Sequence, residues 1–224
     1  KLAGGQEGHA GPFGYHALLA PLLSFPATLL LPAGLVVGWK KRSEPGVRFA
    51  VCWLVPTWLM FEILPTKLVH YELPAYGALA MLMAAAVREP LGRLARFIGG
   101  GLSVLMGALL AAVAVYGQVQ FGTGGDIAWT VLAALLALAA GIVGAALLLR
   151  RHSARALVTA GVLGVGAHIA LTAGLIPRLE PLFLSKDVAD ALDRTRLSPR
   201  SGAAGPVALT GYSEPSLIFQ LGTA

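Results

Sequence analysis

Between Phe61 and Tyr76 the chain places two carboxylates, Glu62 and Glu72, with Lys67, His70, Tyr71 and Tyr76, framed by Pro65 and Pro74. Strongly apolar segments flank this stretch on both sides. Polar groups at the edge of a membrane cost desolvation energy, so a turn this dense lines a site rather than facing lipid. Lys67 is a compact point charge suited to a phosphate. Glu62, near the end of an apolar run, needs a partner, and Lys67 lies within reach across the Leu64-Pro65 bend. Two readings of the pair stand side by side. It is a structural ion pair that pins the bend, or a cation tuned by a carboxylate and placed for a phosphate at the membrane surface. His70 and Tyr71 are adjacent, so they point in different directions. One can face the site while the other packs at the bilayer interface, where tyrosine is common.

A second polar set precedes the first apolar run. Glu7 and His9 stand two apart, followed by Gly11-Pro12-Phe13-Gly14-Tyr15-His16. They offer two ligands to a divalent metal ion, which needs more from elsewhere; the other reading is a flexible substrate-facing loop. His168 sits among small residues and reads as a histidine satisfied by a neighbouring helix. Gly99-Gly100-Gly101 lacks a P-loop lysine and reads as a packing feature. The single cysteine, Cys52, excludes a disulfide framework and a Cys-based metal site, and reads as a small buried hydrophobe. There is no Ser/His/Asp set, Walker motif or zinc signature.

The elements that position these residues are apolar helices. Hydrophobic residues make up 56% of the chain, charged residues only 12%, and mean hydropathy is +0.73; soluble domains carry about 25% charged residues. The composition therefore specifies an all-α polytopic membrane protein. Six spans are expected, at about 16–39, 49–65, 73–87, 97–117, 127–149 and 156–176. Pro21, Pro26 and Pro32 predict kinks or a broken turn in the first. The third is short for a perpendicular crossing. Ten lysines and arginines fall after spans one, three and five, whereas the opposite loops hold only Lys67 besides the terminal Lys1. The positive-inside rule puts those clusters in the cytoplasm and residues 1–15, the polar turn and the loop 118–126 outside. It also accounts for the net charge of +6 without nucleic acid.

After Ile176 the composition changes, and residues 177–224 read as the start of a small extracytoplasmic α/β domain. Ser185–Thr195 reads as an amphipathic helix with Ser185 as N-cap and Val188, Ala189 and Leu192 on its apolar face. Residues 207–212 alternate as a strand, and Pro215 opens a further helix. Starting at Lys1 and ending just after that helix begins, the chain reads as an internal piece of a longer protein.

The segment Pro65-Thr66-Lys67-Leu68-Val69-His70-Tyr71-Glu72-Leu73-Pro74 resembles the Lys-Leu-Pro-x-Tyr-x-Leu-Pro signature of the bacterial aminoarabinose-transferase and protein-mannosyltransferase-like family, with Val69 in place of a proline. Residues 7–15 are similar to that family's outside loop, with Gly14 where an aromatic is common. Residues 211–217 are similar to the strand-to-helix passage of the extracytoplasmic domain in its bacterial branch. The resemblance implies the C-terminal portion of a GT-C membrane glycosyltransferase. Such an enzyme moves a sugar from a polyprenyl-phosphate carrier to a lipid, glycan or protein acceptor, on the outer side of the bacterial inner membrane. It implies that Lys67 and Tyr71, with His70 and Glu62 beside them, help hold the carrier phosphate, and that His9 belongs to the loop closing over it. The family's catalytic carboxylate lies in an earlier outside loop, so no catalytic residue is expected in this chain, nor activity from it alone. Two other classes compete: a transporter or flippase, and a structural membrane subunit whose polar turn is an ion-paired bend.

Overall fold

The computed structural model describes residues 11–203, 207 and 215–222. The expected first span is broken. Helix α1 (Tyr15–Leu23) and the segment Ala27–Lys40, which ends as α2 (Leu31–Lys40), meet at 115° across residues 24–26. Proline explains where this happens. Pro26 interrupts the chain between the arms, and Pro32 sits in the first turn of α2, where its missing N–H costs nothing.

Helix α3 (Pro45–Ile63) carries the chain to the polar turn, where residues 69–72 form one 3₁₀ turn, and α4 (Leu73–Val87) returns it with Pro74 in its opening turn. Helices α5 (Arg93–Phe121) and α6 (Ile127–Leu149) follow, then α7 (Ser153–Ile169), which runs on through a π-helical turn to Arg178. Among the described residues four helices are long and apolar enough to cross a membrane: 45–63, 93–121, 127–149 and 153–178. The bent pair makes a fifth crossing if it counts as one. At 15 residues, α4 falls short of the ~20 that a perpendicular crossing needs. The expected six thus become four or five by length and composition.

Packing is through small residues. A Cβ on Gly141 would sit 2.6 Å from the Ser103 carbonyl oxygen, and one on Gly107 2.5 Å from that of Ala137, so α5 and α6 touch backbone to backbone. Of the glycine triplet, Gly99 abuts the Leu29 carbonyl and Gly100 faces Ala145, while Gly101 meets open space. Outward faces carry exposed Val119, Leu135, Val162 and Ile169, as expected of surfaces solvated by hydrocarbon. Cys52 is on such a face, exposed rather than buried. His168 is also exposed, and its Nδ1 bonds the Gly164 carbonyl of its own helix at 2.8 Å rather than a neighbouring one.

The three basic clusters meet at one end of the molecule. Lys41 Nζ lies 2.6 Å from Glu89 Oε1, and Arg96 donates to the Leu149 carbonyl at 3.0 Å. The polar turn and the start of α1 occupy the other end of α3 and α4. Among the described residues there is no strand. The expected strand 207–212 lies outside them apart from Val207, so the α/β character of the tail is not shown. Helix α8 (Leu184–Arg194) does form, with Ala189, Val188 and Leu192 packed on Leu217 and Leu221 of α9 (Pro215–Leu221). Ser185 is not its cap. Phe183 is in that position, and Ser185 lies inside the first turn with its hydroxyl 2.7 Å from that of Ser216.

Candidate functional site

Glu62 ends α3 with its carboxylate turned inward, under the start of α1. Its Oε1 accepts the backbone N–H groups of His16 and Ala17 at 3.0 and 3.1 Å, and its Oε2 accepts that of Gly14 at 3.0 Å. The N-terminus of α1 has no side-chain cap of its own: Gly14 is the N-cap, with φ +90°. A carboxylate from 46 residues downstream therefore satisfies the free N–H groups and complements the helix dipole. The positive φ explains the glycine, since an aromatic side chain would be strained in that conformation.

Lys67 is buried beside it. Its ammonium donates to the Glu62 carbonyl at 2.6 Å and the Phe61 carbonyl at 2.9 Å, and lies 3.5 Å from Glu62 Oε2. The two carbonyls are among the last of α3, so the cation also answers the negative end of that helix. Its stem runs beneath the incoming loop: a Cβ on Gly11 would stand 2.6 Å from Lys67 Cγ, and Gly11 N–H bonds the Pro65 carbonyl at 3.3 Å. The segment entering α1 at Gly11 and the polar turn thus share one buried junction.

Two further residues complete it. His16 Nε2 is 3.1 Å from the Leu68 carbonyl, which assigns the proton there, and its Nδ1 points between Glu62 Oε1 at 3.8 Å and Glu72 Oε1 at 3.7 Å. Glu72 is fully buried. Burial, and secondly the charge of Glu62, push its carboxyl up to about 7, against the opposing pull of Lys67. Among the described residues neither Glu72 oxygen has a hydrogen-bond partner, nor have His16 Nδ1 and the buried Tyr76 hydroxyl. The cluster is one ion pair, Glu62 with Lys67, beside an acid inclined to stay neutral.

The turn therefore does bring Glu62 and Lys67 together. It leaves His70 outside, exposed, and lays the half-buried Tyr71 ring 5.3 Å from both the Phe61 and His70 rings. Glu7 and His9 lie outside the described residues. Among the described residues no three His, Cys, Asp or Glu side chains meet to hold a metal ion. His16 and Glu72 stand in the two polar stretches but carry no role from the sequence, because both are polar residues next to more conspicuous ones. The usable signal for Glu72 is its position directly before Leu73-Pro74, where an acid suits a helix N-terminus. Adjoining the cluster through Ala17 is an apolar groove of about 310 Å³ between α1, α2, α3 and α4, with Leu31, Leu54, Trp58 and Leu79 among its walls.

Neither a protein-family model nor a solved structure matches the chain. Curated bacterial proteins do. The chain is 39% identical over 118 residues, 49% of its length, to the undecaprenyl phosphate-alpha-4-amino-4-deoxy-L-arabinose arabinosyl transferase of Pectobacterium carotovorum. The chain resembles part of these arabinosyl transferases. The protein of that name from Pectobacterium atrosepticum is 33% identical over 165 residues, 68% of the chain, and one from Proteus mirabilis is 41% identical over 85 residues, 38% of it. The matched stretches span 20%, 29% and 15% of those three relatives, so the chain corresponds to well under half of each. The likeness read from Lys67–Pro74 is borne out at the level of the family, and the chain is a multi-pass membrane protein.

Proposed function

We propose that the full-length protein is an integral membrane glycosyltransferase that takes a sugar from a polyprenyl-phosphate carrier and passes it to an acceptor on the extracytoplasmic face. The observation that carries this reading is the 33% identity over 68% of the chain to a protein named for undecaprenyl phosphate-aminoarabinose transfer. In this reading the chain is the C-terminal portion of the enzyme. It crosses the bacterial inner membrane six times, with α4 as a short, protein-covered crossing, and residues 177–224 open an extracytoplasmic domain. The end carrying the basic clusters is then cytoplasmic.

Transfer leaves negative charge on the departing polyprenyl phosphate, and a fixed cation in a water-poor site stabilises it. Lys67 is suited to that task. Its contact with Glu62 Oε2, at 3.5 Å, is the longest of its three and the one most readily exchanged for a phosphate oxygen. Glu62 would remain held by three backbone N–H groups after the exchange. Tyr71 and His70, at the surface of the same turn, would meet the carrier from outside, and His9 would close over it. Glu7 and His9 would supply two ligands to any divalent cation bound there. The apolar groove beside Ala17 suits the prenyl chain, being adjacent to the cluster and almost without polar wall.

The test is transfer of labelled 4-amino-4-deoxy-arabinose from undecaprenyl phosphate to an envelope-lipid extract by the full-length protein in proteoliposomes. Donor-dependent labelling of the acceptor is expected, with none from residues 1–224 alone. Folded protein that labels no acceptor from this or other polyprenyl-phosphate sugars would overturn the reading.

A further inference from the structure

A second groove lies at the opposite end of the molecule, between α2 and the start of α5, and encloses about 410 Å³. Ala33, Val36 and Val37 form one wall and Leu94, Ala95 and Ile98 the other. Val36, Leu94 and Ile98 are exposed, so the groove opens onto the lipid-facing surface rather than into the bundle. Its volume falls within the ~300–1,000 Å³ of ligand pockets.

Lys40, Lys41 and Glu89 line the mouth of this groove, and the residues flanking them along the chain add to the cationic excess. Residues 40–44 and 89–96 carry five cations (Lys40, Lys41, Arg42, Arg93 and Arg96) against two carboxylates, Glu44 and Glu89. Both carboxylates are already occupied by Lys41, at 3.2 Å and 2.6 Å. Arg42 turns to the Trp39 carbonyl and ring, and Arg96 to the Leu149 carbonyl. Lys40, which lines the mouth, is exposed and makes no ion pair among the described residues. Beside it α5 begins at Gly92 with no side-chain cap and no acid in its first turn. Exposed Trp39 marks this level as a membrane interface.

We propose that this groove binds an anionic phospholipid of the leaflet on the basic side. One acyl chain lies between α2 and α5, and the phosphate rests against Lys40 and the first N–H groups of α5. Charge complementarity selects this occupant. An apolar protein segment laid in the groove would leave Lys40 and the uncapped helix end unanswered, and a zwitterionic lipid would bring its own cation to a mouth already in cationic excess. The proposal is independent of the transferase reading.

Native mass spectrometry of the full-length protein in detergent tests it, with phosphatidylglycerol, phosphatidylcholine of the same chains, and inorganic phosphate as probes. Phosphatidylglycerol should be retained about fivefold better than phosphatidylcholine, the difference expected for one interfacial cation. Lys40→Glu should reduce its retention to the phosphatidylcholine level. Val36→Trp, which fills the groove from its exposed wall, should lower retention of both lipids. Equal retention of the two lipids, or no effect of Lys40→Glu, would overturn the assignment. So would a protein that retains neither lipid, which would mean that another segment covers the groove. Displacement of phosphatidylglycerol by inorganic phosphate at equal concentration would also overturn it, because the chain would then contribute nothing.

Discussion

Glu72 offers the sharpest test of the buried junction, because its charge is the one the surroundings oppose. Replacing it with glutamine keeps the shape and removes the titration. The carboxyl moves from 4.5 in the unfolded chain to about 7 in the fold, chiefly through burial and then through the charge of Glu62. The folded state therefore holds the proton more tightly. Stability linked to this group is fully present below pH 4.5 and is lost as pH rises through 7. At about 1.4 kcal/mol for each pH unit of that interval, the loss at pH 8.5 is of order 3 kcal/mol.

Glu72→Gln should therefore match the parent at pH 5 and exceed it at pH 8.5. The assay is thermal unfolding of the purified protein in detergent, read as the difference between variant and parent at each pH so that other titrating groups cancel. The infrared carbonyl band of a protonated acid, present at neutral pH in the parent, should vanish in the variant. A difference that stays flat from pH 5 to 8.5 would refute the claim that Glu72 is driven toward neutrality by its site. A variant less stable than the parent at pH 8.5 would refute it equally, since the buried charge would then be stabilising.

Lys67→Met keeps the stem and deletes the ammonium, leaving the Glu62 carboxylate buried without its cation. A loss of about 3 kcal/mol is expected, at the low end for a broken buried pair because three N–H groups still hold Glu62. Adding Glu62→Gln should recover part of it in a denaturation-based double-mutant cycle, and an additive pair would show that the two charges are not coupled. Gly141→Ala puts a methyl 2.6 Å from the Ser103 carbonyl and should cost about 1–3 kcal/mol by forcing α5 and α6 apart. Gly101→Ala, which meets nothing within 4 Å, should be neutral or stabilise by up to about 1 kcal/mol, and equal effects at the two sites would undo the close-packing account.

The sequence makes the membrane class legible because apolar composition and the placement of charge are one-dimensional properties. Lys41 with Glu89 and Arg96 with Leu149 join basic clusters that lie far apart along the chain, at the common end which the alternation of charged loops predicts. Broken geometry is less legible. Three prolines announce a disturbance in the first span, but nothing local gives a bend of 115° or says that the arm before it will be capped by Glu62. Burial is the least legible. His70 and Tyr71 attract notice as chemical residues yet stand at the surface, while His16 and Glu72 are sealed inside, because contacts 46 and more residues apart decide which side of the turn faces inward.

That contrast changes what Glu62 and Lys67 mean. From sequence, a structural ion pair and a phosphate-binding cation compete for the same two residues. In the fold they do not exclude each other, since the oxygen Lys67 holds most loosely belongs to a carboxylate that three backbone N–H groups hold independently. The pair anchors the start of α1 to the polar turn, and in the proposed function the lysine turns toward an anion without freeing the anchor. A site built this way would link occupancy to the segment above it, because the Lys67 stem leaves no room for a Cβ on Gly11, which would meet Lys67 Cγ at 2.6 Å. Lys67 movement toward a phosphate should therefore be felt at Gly11 before any change reaches the α5–α6 contact.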